Sequence, residues 1–244
     1  MMRDEQKLRG RHLTLFFHDK RTERERLLRT RLQSAGRAVE TLGVDQWRVG
    51  DGVAGEDGME LTIRFADRSA WGGGSPAHCF EIDRDLIGDC LAVTIAASPA
   101  FVSDFDPVDM LRHQCALALE LLDAQAVGVF WSGADCLMGA DYFRRMVSVW
   151  IDGGAFPALG LTALVREDTG VMRSTGLEFL VGQEVAVLPG EGMEGRDQAR
   201  LAIRMIDFLV REGPIQQDQT IDVDGFGPVH VQVDANKGHI NLYR

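Results

Sequence analysis

DPVDMLRHQCALALELLDAQAVGVFW (Asp106–Trp131) carries two periodicities in one run. Its first part repeats Leu111, Cys115, Ala118, Leu119 and Leu122 at helical spacing, which predicts a helix with one face packed on a sheet. The start is well marked. Asp106 caps, Pro107 suits the first helical position because its missing N–H would have no intrahelical partner, and Asp109 complements the helix dipole. The second part, AVGVFW (Ala126–Trp131), is a short apolar run and predicts a strand. His113 lies off the apolar stripe and reads as a surface residue.

Outward from this run the same alternation of types continues. LAVTIAAS (Leu91–Ser98) predicts a buried strand. MELTIRFAD (Met59–Asp67) alternates with period two, placing Leu61, Ile63 and Phe65 inward and Thr62 and Arg64 outward. HLTLFF (His12–Phe17) predicts a strand leading into a basic helix over KRTERERLLRTRLQSAGR (Lys20–Arg37), which reads as a solvated amphipathic helix with a Leu28, Leu32, Ala35 stripe. Residues 36–58 are polar and glycine-rich and are expected to be irregular. Downstream, ADYFRRMVSVW (Ala140–Trp150) places Phe143, Met146, Val147 and Trp150 on one helical face. ALGLTALVRED (Ala158–Asp168) reads as a strand. RDQARLAIRMIDFLVREGP (Arg196–Pro214) is a helix that buries Ala202, Met205, Ile206 and Leu209 and ends at Gly213 and Pro214. QTIDV, VHVQV and HINLY close the chain as short strands.

Strands in hairpin order mixed with helices predict an α+β fold, a largely antiparallel sheet covered by amphipathic helices. The organisation expected is one domain over residues 1–244, with a basic strand-helix segment at 1–58 and the main body at 59–244. Strand, helix and strand recur in order from Leu91, Asp106 and Ala126 and again from Glu184, Arg196 and Gln219, so two related β-loop-α-β halves are a further expectation.

Composition excludes several classes. With 45% apolar residues the chain has the make-up of a folded globular protein. Its longest apolar runs fall far short of the roughly 20 residues that a membrane helix needs. The N-terminus shows no cleavable leader pattern, so a cytoplasmic location and no membrane partner are expected. Residues 1–50 hold 12 Lys/Arg against 7 Asp/Glu, a balance of +5, and the other 194 hold 14 against 30, or −16. An acidic body repels nucleic acid, which is therefore not an expected partner. Cys79, Cys90, Cys115 and Cys136 read as buried free thiols. His78 with Cys79 and His113 with Cys115 are the only close Cys/His neighbours and do not make a metal site. The glycines of WGGGSP (Trp71–Pro76) lack the Lys-Ser/Thr of a phosphate loop. The Asp222, Asp224, Gly225 triplet lacks the glutamate of a calcium loop. No cofactor is expected.

The stretch with the strongest claim to chemistry is STGLEFLVGQEVAVLPGEG (Ser174–Gly192), with Glu178 and Glu184 in an apolar run. Two carboxyls that share one glycosidic bond stand roughly 5 to 9.5 Å apart. Six positions along a straight strand would separate them by roughly 20 Å, so a single extended strand excludes a catalytic pair. A bend at Gly182 would shorten that distance.

The motifs GVFW (Gly128–Trp131), YFRRM, and TGL followed by Glu184 seven positions after Leu177, then an amphipathic helix and a TI strand, resemble the bacterial domain-of-unknown-function 4261 family over roughly Met59 to Val223. The family pattern has Phe-Gly before the glutamate, a second acid two positions after it, and Asp-Gly before the TI strand. Here those places read Leu180-Val181, Ala186 and Gln217-Asp218, so the paired acids are absent and the chain resembles a divergent member. The resemblance assigns no activity.

Two functions follow as expectations. The first is a non-catalytic module that binds another protein, with Trp131, Thr175, Glu178 and Glu184 as binding residues. The alternative is a small hydrolase or transferase using Glu184 as general base beside His113 or His230.

Overall fold

The computed structural model describes residues 11–18, 20–50, 59–67, 76–98, 106–190, 192–236 and 238–244. The WGGGSP turn lies outside the described residues except for Pro76. The fold is α+β, with open, mostly antiparallel sheets. One domain is the expectation from sequence, whereas the chain divides into two compact units, Met1–Gly153 and Gly154–Arg244. No helix among the described residues is long and apolar enough to cross a membrane.

The first unit runs β1 (His12–Phe17), α1 (Arg21–Ser34), β2 (Ala38–Gly43), β3 (Gln46–Gly50), β4 (Leu61–Asp67), β5 (His78–Phe80), a 3-10 turn (Arg84–Ile87), β6 (Leu91–Ala97), α2 (Pro107–Leu121), β7 (Ala126–Trp131), β8 (Cys136–Gly139) and α3 (Ala140–Ile151). Its sheet has the order β2-β3-β4-β6-β1-β7-β8-β5, antiparallel except for β5 beside β8. The central β1 is buried on both faces. Leu13, Leu15 and Phe17 face the helices, with Val93, Ile95, Val129 and Trp131 in register beside them. Phe16, Ala92, Phe130 and Leu137 form a second cluster with Ile87 and Cys90 on the opposite face.

Helix α2 begins as its sequence requires, with the Asp106 side chain accepting from Val108 N–H at 2.8 Å and Asp109 N–H at 3.2 Å. Its apolar side is wider than a single stripe. Met110, Gln114, Leu117 and Leu121 are also buried, because α1 and α3 pack on α2 while it sits on β1 and β6. Gly128 explains the GVFW motif in physical terms. A Cβ there would stand 2.7 Å from the Ile82 side chain and 2.9 Å from the Met138 carbonyl, so only glycine lets these layers close.

One expectation fails in this unit and a second is corrected at one residue. Residues 38–50 are not irregular but form the β2–β3 hairpin, in which Trp47 and Val49 are buried. Trp47 meets Phe65 edge-on at 4.6 Å. Helix α1 is amphipathic as expected, with Leu28 and Leu32 buried, but Ala35 is exposed beyond the helix end and the third buried position is Arg24.

The second unit runs α4 (Ala158–Leu161, an irregular turn), β9 (Ala163–Arg166), β10 (Met172–Thr175), α5 (Glu178–Val181), β11 (Glu184–Val187), α6 (Gly195–Glu212), β12 (Gln219–Val223), β13 (Gly227–Val233) and β14 (His239–Tyr243). Its sheet order is β12-β13-β14-β11-β10-β9, with β11 and β14 parallel and the other pairs antiparallel. Helix α6 packs on β9, β10 and β11 through Leu201, Ala202, Met205, Ile206 and Leu209, each large side chain stabilising by about 1.5–3 kcal/mol. Gln183 ties the chain after α6 into the core. Its amide donates to Ile215 O at 2.8 Å and accepts from Ile215 N–H at 2.9 Å, replacing a sheet rung.

Both β-α-β segments exist, and they cross differently. β6 and β7 flank the single strand β1, whereas β11 and β12 are separated by β14 and β13.

Candidate functional site

The Ser174–Gly192 stretch is not one straight strand. β10 ends at Thr175, Gly176 turns with φ +90°, and Glu178 opens the single turn α5. Gly182 closes that turn in the left-handed region at φ +79°, and β11 begins at Glu184. Glycine is needed at both turns because a side chain would clash with its own backbone there. The chain therefore folds back, and the roughly 20 Å separation estimated for an extended strand does not apply.

Folding back brings Glu184 to Glu178, but not as a pair of acids. Glu184 Oε1 accepts from the Glu178 backbone N–H at 2.9 Å. Its Oε2 accepts from the Ser174 hydroxyl, whose oxygen accepts in turn from Val185 N–H at 2.7 Å. Glu184 is 8% exposed and Ser174 1%. The Glu178 side chain is exposed. The carboxylate thus caps the first N–H of α5 from across the turn, and the serine bridges β10 to β11 where the backbone ladder stops. The histidines expected beside it are hydrogen-bonded within their own units. The His113 ring meets Asp109 O of its own helix at 2.8 Å, and the His230 ring meets Thr220 Oγ1 at 2.9 Å.

The remaining expected binding residues are placed as follows. Thr175 is exposed at the end of β10. Trp131 is fully buried in the first unit, where it fills the core beneath the helices and offers no face to a ligand. No group of three or more His, Cys, Asp or Glu side chains among the described residues is arranged to hold a metal ion. None of the four cysteines forms a disulfide, and Cys79 is half-buried. Burial pushes the Cys136 thiol up to about 12, helped by the nearby Asp135 and Cys79, so it is a poor nucleophile.

Clefts lie open elsewhere among the described residues, and two of them are walled by charged or apolar side chains. One, of about 720 Å³ in the first unit, is walled by Glu81, Asp123, Gly139, Tyr142 and Arg144. Its charges are already met: Glu81 by Arg145 at 2.7 Å, Arg144 by Asp141 at 2.5 Å, and Asp123 by Arg24 at 2.6 Å. The other, of about 220 Å³ in the second unit, runs between α6 and the edge strand β12, with Met205, Phe208, Ile221 and Val223 among its lining. Glu184 lines neither of these clefts. Sequence periodicity did not single out the second one. Its signal is Phe208, a large apolar residue beside rather than within the buried stripe of α6.

No family model matches the chain, no curated protein matches it, and no solved structure does.

Proposed function

We propose that this protein is an interaction module, an adaptor or a neutralising partner of another protein, that acts by binding rather than by turnover. The observation that carries this reading is the commitment of Glu184. A general base must present a lone pair to a substrate proton, and this carboxylate is turned onto the Ser174 hydroxyl and the Glu178 N–H inside the fold. The charge distribution supports binding, since 30 acids against 14 basic residues beyond position 50 suit a basic surface and disfavour nucleic acid.

The test is a quantitative affinity capture of the whole chain at native expression, followed by reconstitution of the pair from purified components. A stoichiometric complex is expected, weakened by added salt. Glu184→Gln is expected to leave that complex intact. Hydrolysis of a generic ester, phosphoester or glycoside by the wild type, lost in Glu184→Gln without loss of fold, would overturn the reading.

A further inference from the structure

We propose that the trough between α6 and β12 binds an extended, basic peptide by strand addition, with one large apolar side chain of the peptide seated against Phe208 and Ile221. This rests on the reading of the chain as an interaction module and names its docking edge.

The first support is the edge itself. Among the described residues β12 pairs only with β13, and Gln219, Thr220 and Asp222 are exposed. In an antiparallel ladder, residues alternate between pairs that exchange hydrogen bonds and pairs that do not. Asp222 stands opposite Pro228, which has no N–H to exchange, so this pair is of the second kind. Thr220, two positions earlier, shares that parity. The backbone N–H and C=O of both residues therefore point away from β13, in the spacing that a further strand requires.

The second support is the trough. Ile221 and Val223 face α6, where Met205 and Phe208 complete an apolar floor. Its volume of about 220 Å³ is below the roughly 300 Å³ at which small-molecule sites begin and suits a single side chain.

The third support is charge. Asp207 pairs with Arg211 at 3.2 Å and Arg204 with Asp224 at 3.8 Å, while Glu212 and Asp222 have no ion-pair partner among the described residues. The rim carries a net charge of −2 from these six side chains. Basic residues alternating with the seated apolar side chain would lie on the opposite face of the added strand, beside the exposed Asp222, while Glu212 adds to the negative field over the trough.

The experiment uses the full chain and a labelled probe, acetyl-Lys-Val-Lys-Phe-Lys-Val-Lys-amide, read by fluorescence anisotropy. Saturable binding is expected, and a probe with glutamates in place of the lysines should bind at least about tenfold more weakly. Thr220→Pro removes an outward N–H and leaves the backbone ladder to β13 in place. It also removes the Thr220 Oγ1–His230 contact, so it is compared with Thr220→Val, which loses the same contact and keeps the N–H. Only the proline variant should cut probe affinity at least about tenfold. Phe208→Ala and the pair Glu212→Lys with Asp222→Lys should each weaken binding in the same range. Three results would overturn the proposal. These are failure of the wild type to bind the basic probe, equal binding by Thr220→Pro, and self-association of the wild type that Thr220→Pro abolishes, which would assign the edge to a second copy. If a reconstituted partner complex forms equally well with Thr220→Pro, the trough is excluded as the docking edge while the module reading survives. If the probe binds as expected but no partner complex forms with the wild type, the module reading falls and the trough's chemistry stands.

Discussion

Arg24 in the first unit and Glu184 in the second each take a charge out of water. The Arg24 side chain is fully buried, and Glu184 is 8% exposed. Arg24 is met by an opposite charge, Asp123 at 2.6 Å, and lies over the Phe17 ring at 4.1 Å. The hydrogen-bond donors to Glu184 are neutral, the Ser174 hydroxyl and the Glu178 backbone N–H. The difference lies in what a deletion leaves behind. Removing Asp123 takes the carboxylate at 2.6 Å away from a buried cation, whereas removing Glu184 strands only dipoles, and the interior tolerates a dipole far better than a charge.

The largest expected effect is therefore Asp123→Ala. It should lower stability by about 3 kcal/mol, measured by urea denaturation, because the buried Arg24 loses the carboxylate it meets at 2.6 Å. Replacing both members, Arg24→Met with Asp123→Leu, sharpens the comparison. The double variant should be more stable than Asp123→Ala, since an apolar pair of similar volume leaves no charge uncompensated. A double variant no more stable than Asp123→Ala would show that Arg24 matters through packing alone.

Glu184→Ala comes next, at roughly 2–3 kcal/mol, because it leaves the Ser174 hydroxyl and the Glu178 N–H without their acceptor. Glu184→Gln keeps one acceptor oxygen and should cost about 1 kcal/mol. A loss as large as that of Asp123→Ala would break the distinction between the two buried groups. Ser174→Ala, which removes the acceptor of Val185 N–H, should cost about 1–2 kcal/mol in the same measurement.

The smallest effect is a pH dependence. Burial alone would raise the Asp123 pKa, but the hydrogen bonds from Arg24 and Gln125 N–H and the nearby charges of Arg24 and Arg31 outweigh it and hold the carboxyl below its ordinary value. A depressed folded pKa contributes stability that is fully present above the unfolded value of about 3.9 and is lost as pH falls through the lower folded value. Stability measured from pH 6 downward should therefore fall in the acid range, and Asp123→Asn should be less stable at neutral pH with a shallower acid slope. An unchanged slope would remove Asp123 from the account.

Regular periodicity carried most of the fold. Leu61, Ile63 and Phe65 are inward with Arg64 exposed, and α6 buries the stripe of Ala202, Met205, Ile206 and Leu209. The β2–β3 hairpin was not legible because one of its faces is wet and it lies at a sheet edge. Its polar composition hides the alternation that buries Trp47 and Val49. The single turn α5 was hidden for a related reason, since the four residues Glu178–Val181 are too few to show a helical period.

The amino-acid sequence by itself determined the element types, the caps and the apolar faces, because these follow from interactions between residues a few positions apart. Only the tertiary structure decided the roles of Arg24 and Glu184 and exposed the trough beside β12. Their partners, Asp123 at 99 positions from Arg24 and Ser174 at 10 from Glu184, arrive through chain reversal. Whether a charge in an apolar run serves a ligand or the fold depends on which groups that reversal brings to it.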